Sequence, residues 1–198
     1  GPIRTEVDAY ATGTYRKQSG DPMEYIVKEV LGYQAEGFIA TKLKIGFEVN
    51  EDAALIEAVR NAVGHDFGLM LDANHGYDSI DAIRLAQKVE HLNLGWFEEP
   101  VPPEDLEGYL AVKASTSIPM AGGECEYTRF GFREVLKSGA VDYLQPDICA
   151  AGGLSECKKI TDMANAFGVR LVPHVWGTGI GLSAGLHLLG VIPHNPPG

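Results

Sequence analysis

The feature that most constrains this chain is a repeat: short apolar runs alternate with amphipathic stretches from one end to the other. A candidate strand near Val7–Thr12 precedes a helix through Tyr25, Ile26, Val30 and Leu31. The run Ala40–Ile45 follows. Next comes a helix opened by Asn50, with Glu51 and Asp52 in its first turn and Leu55, Ile56, Val59 and Val63 on its apolar face. Further strands are predicted at Leu69–Leu71, Gly95–Phe97, Ile118–Ala121, Tyr143–Leu144 and Arg170–Val172, with helices after Asp78, Pro103, Phe130 and Ser155. Gly139 and Gly168 read as C-terminal helix stops. Such βα-like units, with no low-complexity linker between them, predict one α/β domain of parallel strands, either a (β/α)8 barrel or an open doubly wound sheet.

The polar residues decide between the two. Lys44, Asp72, Glu98, Glu124, Asp147 and His174 each lie at or just beyond the C-terminal end of a different predicted strand. Subtracting each number from the next gives 28, 26, 26, 23 and 27, the length of a βα unit in a barrel of about 250 residues. Strand ends converge on one point in a barrel; in an open sheet they form a line, and ligands bind mainly at one switch point. The expected fold is therefore a (β/α)8-type TIM barrel. It is incomplete over 1–198, because the chain reaches Pro196-Pro197-Gly198 with no eighth strand and would leave open edges. Lacking an initiating Met, the chain is expected to begin mid-protein.

A formal net charge of -11 argues against a nucleic-acid or anionic-membrane partner, since both draw on clustered Lys and Arg. A small molecule is the expected ligand, and a bound divalent cation reverses the sign of the field locally inside an acidic cleft. Three cysteines, Cys125, Cys149 and Cys157, are odd in number and lack zinc-site spacing, which favours a reducing cytoplasm. No apolar run is long enough to cross a bilayer.

Asp72, Glu98 and Glu124 form a hard-oxygen set suited to Mg²⁺. Each follows apolar or small residues, in Leu71-Asp72-Ala73-Asn74, Trp96-Phe97-Glu98-Glu99-Pro100 and Ala121-Gly122-Gly123-Glu124, where a charge needs a partner or a metal. Lys42 and Lys44 alternate on one strand face. They are either two solvated lysines or, at a barrel mouth, a pair in which each raises the cost of charging the other, leaving a neutral Lys44 to act as base. His174 is either a satisfied core histidine or a catalytic one, and Asp147 favours the second by offering a carboxylate to one ring nitrogen. Asn74 is a candidate substrate contact, and His75 reads as a loop residue beside the site. His65, His91, His187 and His194 carry no motif. The glycines of Gly177-Thr178-Gly179-Ile180-Gly181 suit a phosphate-binding turn or simply a tight βα turn with close helix packing.

These motifs resemble the mandelate racemase branch of the enolase superfamily, across essentially the whole chain. The resemblance implies that Asp72, Glu98 and Glu124 bind Mg²⁺, with Glu98 rather than Glu99 as the ligand in Glu98-Glu99-Pro100. It also implies that Lys42-Leu43-Lys44 is the base motif, that Lys42 contacts the substrate carboxylate, and that Asp147 and His174 form a second acid–base pair. Within the branch, Leu71-Asp72-Ala73-Asn74-His75-Gly76-Tyr77 and Pro173-His174-Val175-Trp176-Gly177-Thr178-Gly179 most resemble lactone cycloisomerases and acid-sugar dehydratases. The expected reaction is removal of the proton α to a carboxylate, followed by β-elimination on an acid sugar or its lactone. Racemisation or epimerisation is the enzymatic alternative, and an inactive barrel kept as a binding partner is the non-enzymatic one. A capping domain before Gly1, an eighth strand after Gly198 and a homo-oligomeric assembly are also expected.

Overall fold

Every strand pairing among the described residues is parallel and joins strands adjacent in sequence, so the α/β class expected from the sequence is the one observed. The structure is a computed structural model and describes residues 4–192; His194 and the terminal Pro-Pro-Gly run lie outside the described residues. The chain divides into two units, 9–120 and 121–192 with 4–8.

In the first unit β1 (Ala11–Thr12), β2 (Ala40–Lys44), β3 (Gly68–Asp72) and β4 (Phe97–Glu98) lie side by side in chain order. The helices α1 (Pro22–Ala35), α2 (Val49–Val63) and α3 (Ser79–Val89) connect them and α4 (Leu106–Ser115) follows β4, each helix packing on the next. Register places Leu43 beside Leu71 and Leu71 beside Phe97. These three are fully buried with Ile26, Val30, Ile56, Val59 and Leu85 from the helices, and each such side chain contributes about 1.5–3 kcal/mol. Strand residues alternate sides, so the neighbouring positions, Lys44 beside Asp72 and Asp72 beside Glu98, share the opposite face. A period-two backbone thus separates an apolar side from a charged one.

Arg60 pins this unit from within. Its guanidinium is buried and donates to the carbonyls of Leu92 (2.9 Å), Asn93 (2.9 Å), Gly64 (2.8 Å) and Phe67 (2.6 Å). One side chain thereby ties the end of α2 to the entry of β3 and to the short 3-10 helix Glu90–Leu92.

The second unit contains β5 (Met120–Gly122), β6 (Tyr143–Leu144) and β7 (Arg170–Leu171), with α5 (Thr128–Ser138), α6 (Leu154–Ala166) and α7 (Gly179–Leu189). Gly122 pairs with Leu144 and Leu144 with Leu171, and beyond the regular strands Asp147 and His174 form an isolated parallel bridge. The close-packing account of the glycines after β7 has direct support: Gly177 has φ 112°, and a Cβ on Gly181 would sit 3.2 Å from Cys149 Sγ.

Several boundaries differ from the sequence reading. The first strand is Ala11–Thr12 rather than Val7–Thr12. Helix α2 is capped by Glu48, whose carboxylate accepts from the Asn50 and Glu51 amides, so Asn50 lies inside the helix rather than opening it. Helix α5 begins at Thr128, ahead of Phe130. Among the described residues no helix is long and apolar enough to cross a membrane.

Candidate active site

Residues of the predicted site gather in each unit at the carboxyl ends of the strands. In the first unit Lys42 Nζ lies 3.1 Å from Asp72 Oδ2 and donates a short hydrogen bond to Glu98 Oε1. Lys44 Nζ donates to Asp72 Oδ2 at 2.5 Å and to Asn74 Oδ1 at 2.7 Å. Asn74 in turn donates its backbone amide to Asp72 Oδ1 at 2.9 Å. Asp72, Glu98 and Lys42 are all buried, so their charges answer one another instead of water.

Burial opposes ionisation at both Lys42 and Asp72, and the neighbours overcome it. Glu98, then Tyr10 and Asp72, leave the Lys42 ammonium above the usual lysine range; Lys42 and Lys44, with the Asn74 amide, leave the Asp72 carboxyl below the usual carboxylate range. Lys42 and Asp72 therefore face each other as ammonium and carboxylate.

The sequence reading passed over Trp96. Its indole N–H donates to Glu98 Oε2 at 3.0 Å, so Glu98 accepts from a lysine on one oxygen and from a tryptophan on the other. The signal was present: Trp96 stands two residues before Glu98, on the same side of an extended segment. Glu99 is also buried and turned differently, its Oε2 lying 3.1 Å from His75 Nδ1. Asn74, His75 and Glu99 have φ of 41°, 51° and 42°, a cluster of left-handed residues just past β3 and β4. Strain gathered in this way is a mark of functional sites.

The loops after β2 and β3 interlock. Gly46 has φ 100°, and a Cβ there would overlap the Ala73 carbonyl oxygen, while a Cβ on Gly76 would sit 2.6 Å from the Gly46 carbonyl oxygen.

In the second unit His174 Nδ1 lies 2.8 Å from Asp147 Oδ2. Asp147 is oriented by the amides of Cys149 (2.7 Å) and Ala150 (3.2 Å), both on Oδ1. The far ring nitrogen, Nε2, lies 3.3 Å from Glu124 Oε2. A carboxylate on Nδ1 fixes that nitrogen as the donor and aims Nε2 toward Glu124, the arrangement of a positioned acid or base.

The chain is similar to known proteins over nearly its whole length. The chain is 47% identical over 196 residues to D-galactarolactone cycloisomerase of Agrobacterium fabrum, covering 99% of this chain and 52% of that protein. It is 35% identical over 189 residues to arabinonate dehydratase of Saccharolobus solfataricus, covering 95% and 50%. The crystal structure of the 3,6-anhydro-D-galactonate cycloisomerase from Zobellia galactanivorans superposes with a TM-score of 0.89 at 47% identity, over 94% of this chain and 51% of that one. The chain thus spans about half the length of the curated relatives it matches. A family match runs over residues 25–197 and carries with it the barrel-type α/β class read from the sequence. On that match and these identities, the chain belongs to the enolase C-terminal domain-like family of the enolase superfamily.

Proposed function

We propose that this chain is the catalytic part of a cytoplasmic enzyme that removes the proton α to the carboxylate of an acid sugar or its lactone and expels a β-leaving group. The observation that carries this reading is the strand-end array that sets Lys42 and Lys44 against Asp72 and Glu98, together with the oriented Asp147–His174 pair. The names of the relatives, a lactone cycloisomerase and an acid-sugar dehydratase, supply the substrate class.

The hydrogen α to a carboxylate is barely acidic, because its removal adds a second negative charge to a group already carrying one. The donor set suits a hard divalent cation: Asp72 and Glu98 are buried carboxylates at adjacent strand ends, and Glu124 adds a third from the next strand end. We assign these three as Mg²⁺ ligands, the ion supplying the charge that offsets the developing dianion. Lys42 holds the substrate carboxylate. Lys44, steadied by Asn74, takes the proton from one configuration of the α-carbon. His174, held by Asp147, takes it from the other, or delivers a proton to the leaving group. Elimination then yields an enol that becomes a 2-keto-3-deoxy acid.

The test is to incubate the full-length protein with Mg²⁺ and with acid sugars and their lactones, and to follow 2-keto acid. Keto acid that forms with Mg²⁺ and stops with chelator supports the reading. Interconversion of stereoisomers without loss of water or ring opening replaces elimination with racemisation. No turnover of any member, with the protein folded, overturns the enzymatic reading.

A further inference from the structure

Asp52 reads in the sequence as a helix first-turn charge, yet it is fully buried and central to the first unit. Its Oδ2 accepts from the backbone amides of Gly46 (3.1 Å), Phe47 (2.8 Å) and Glu48 (3.2 Å) and from the Tyr77 hydroxyl. Its Oδ1 accepts from Arg16 Nη2 at 3.0 Å. Gly46–Glu48 is the loop after β2, Tyr77 stands on the loop after β3, and Arg16 on the loop after β1. One carboxylate therefore gathers three loops.

The same three loops hold Lys44. Its backbone amide donates to Thr14 Oγ1 at 2.9 Å, from the β1 loop; Thr14 is buried at φ 60° and donates its own amide to Glu29 at 2.8 Å. Its Nζ is held by Asp72 and Asn74, from the end of β3. Its chain continues into the loop that Asp52 clamps, where Ile45 donates to the Asp72 carbonyl at 2.9 Å. Arg16 completes the rim: it stacks over the exposed Phe47 ring at 4.0 Å, and Lys44 Nζ lies 5.9 Å from the centroid of Tyr15. The contacts with Gly46, Phe47 and Glu48 are local, those with Arg16 and Tyr77 span 36 and 25 residues, and Asp52 is the point all five share.

We infer that Asp52 is a positioning residue for the Lys44 side of the reaction, setting the place of the Lys44 amine by clamping the three loops that support it. This rests on the assignment of Lys44 and His174 as bases for opposite configurations, and it predicts a face-selective defect. Asp147, His174 and Glu124 belong to the other unit and are held by contacts of their own, so their half of the chemistry keeps its support.

The experiment measures exchange of the α-proton in D₂O, in the full-length protein with Mg²⁺, on an acid sugar and its C2 epimer, for wild type, Lys44→Met, Asp52→Asn and Tyr77→Phe. Asp52→Asn keeps the shape and weakens the acceptor, and a misplacement on the order of 1 Å costs about 10²-fold. The expected result is a loss of about 10- to 10²-fold in kcat for the configuration that Lys44→Met abolishes, with little change in KM and with the other configuration within about twofold. Tyr77→Phe removes one bond of the clamp and carries the test if Asp52→Asn does not fold; it shows the same selectivity at smaller size. Equal loss at both configurations means a general structural role and overturns the inference, as does no loss at either. If Lys44→Met itself spares both configurations, the assignment of the base is wrong and this inference falls with it. If Lys44→Met is selective and the clamp variants are not, only the inference falls.

Discussion

Replacing Glu98 by Gln tests the proposed metal site and the local geometry together. The side chain keeps its size, but only one of its two heads remains an acceptor. Glu98 accepts on both sides, from Lys42 on Oε1 and from the Trp96 indole on Oε2. A glutamine amide must therefore turn its NH₂ toward one of these donors, in a side chain that has no exposure to solvent. Leaving one buried donor unanswered costs about 1–3 kcal/mol. At roughly 2–4 °C per kcal/mol for a domain of this size, the melting temperature falls by about 2–12 °C. Turnover falls further, by about 10³-fold, the equivalent of about 4 kcal/mol of transition-state charge stabilisation supplied through the metal. The assay is thermal unfolding without metal alongside keto-acid production with saturating Mg²⁺. Adding Trp96→Phe removes one of the two donors, so the double variant loses less stability than the sum of the singles, by about 0.5–3 kcal/mol. Activity within tenfold of wild type refutes Glu98 as a ligand. Strict additivity with Trp96→Phe refutes the two-sided acceptor.

Lys44→Met and His174→Asn each lose α-proton exchange for one substrate configuration by about 10²–10⁴-fold in D₂O, and retention of full exchange by both variants shows that neither residue is the base. Arg60→Met leaves four carbonyl acceptors without their donor and destabilises the protein by about 2–4 kcal/mol, measured by denaturant unfolding; kinetic constants within twofold at a temperature where the variant is folded separate this structural role from a catalytic one. Burial first, and then the hydrogen bond to Glu29, push the Tyr33 hydroxyl up to about 12. Because the folded value lies above the unfolded one, this group's contribution is whole below about pH 10 and disappears as pH rises through about 12; an ultraviolet tyrosinate titration that shows Tyr33 ionising with the exposed tyrosines contradicts it.

Much of the candidate site was legible because parallel strands repeat at a nearly constant interval and end on one edge. Counting about one βα unit from Lys44 reaches Asp72 and then Glu98, and strand register aligns those three. The pairing of Asp147 with His174 followed from the same logic. Asp52 was not legible, because its function depends on Arg16 and Tyr77, 36 and 25 residues away, and nothing local separates a buried hub from an ordinary helix-start carboxylate. The start of α2 was misplaced for a related reason. Asn is the stronger cap by propensity, but Asp52 gathers the amides of Gly46, Phe47 and Glu48 and thereby sets where the helix begins, leaving Glu48 to cap it. Val7–Tyr10 is apolar enough for a strand, yet only Ala11 and Thr12 find partners on β2.

The close approach of Gly46 to Ala73 and Gly76 bears on how the substrate range of such a protein is redesigned. Two backbones that touch without side chains between them leave no slack: a residue inserted in the loop after β2 displaces the loop after β3, and any side chain at 46 or 76 forces them apart. Loop grafting must then treat 45–48 and 73–77 as a single cassette, exchanged together from one donor. Chimeras that swap either segment alone should express poorly or lose activity whatever sequence is introduced, while paired swaps tolerate wide variation at the exposed Phe47.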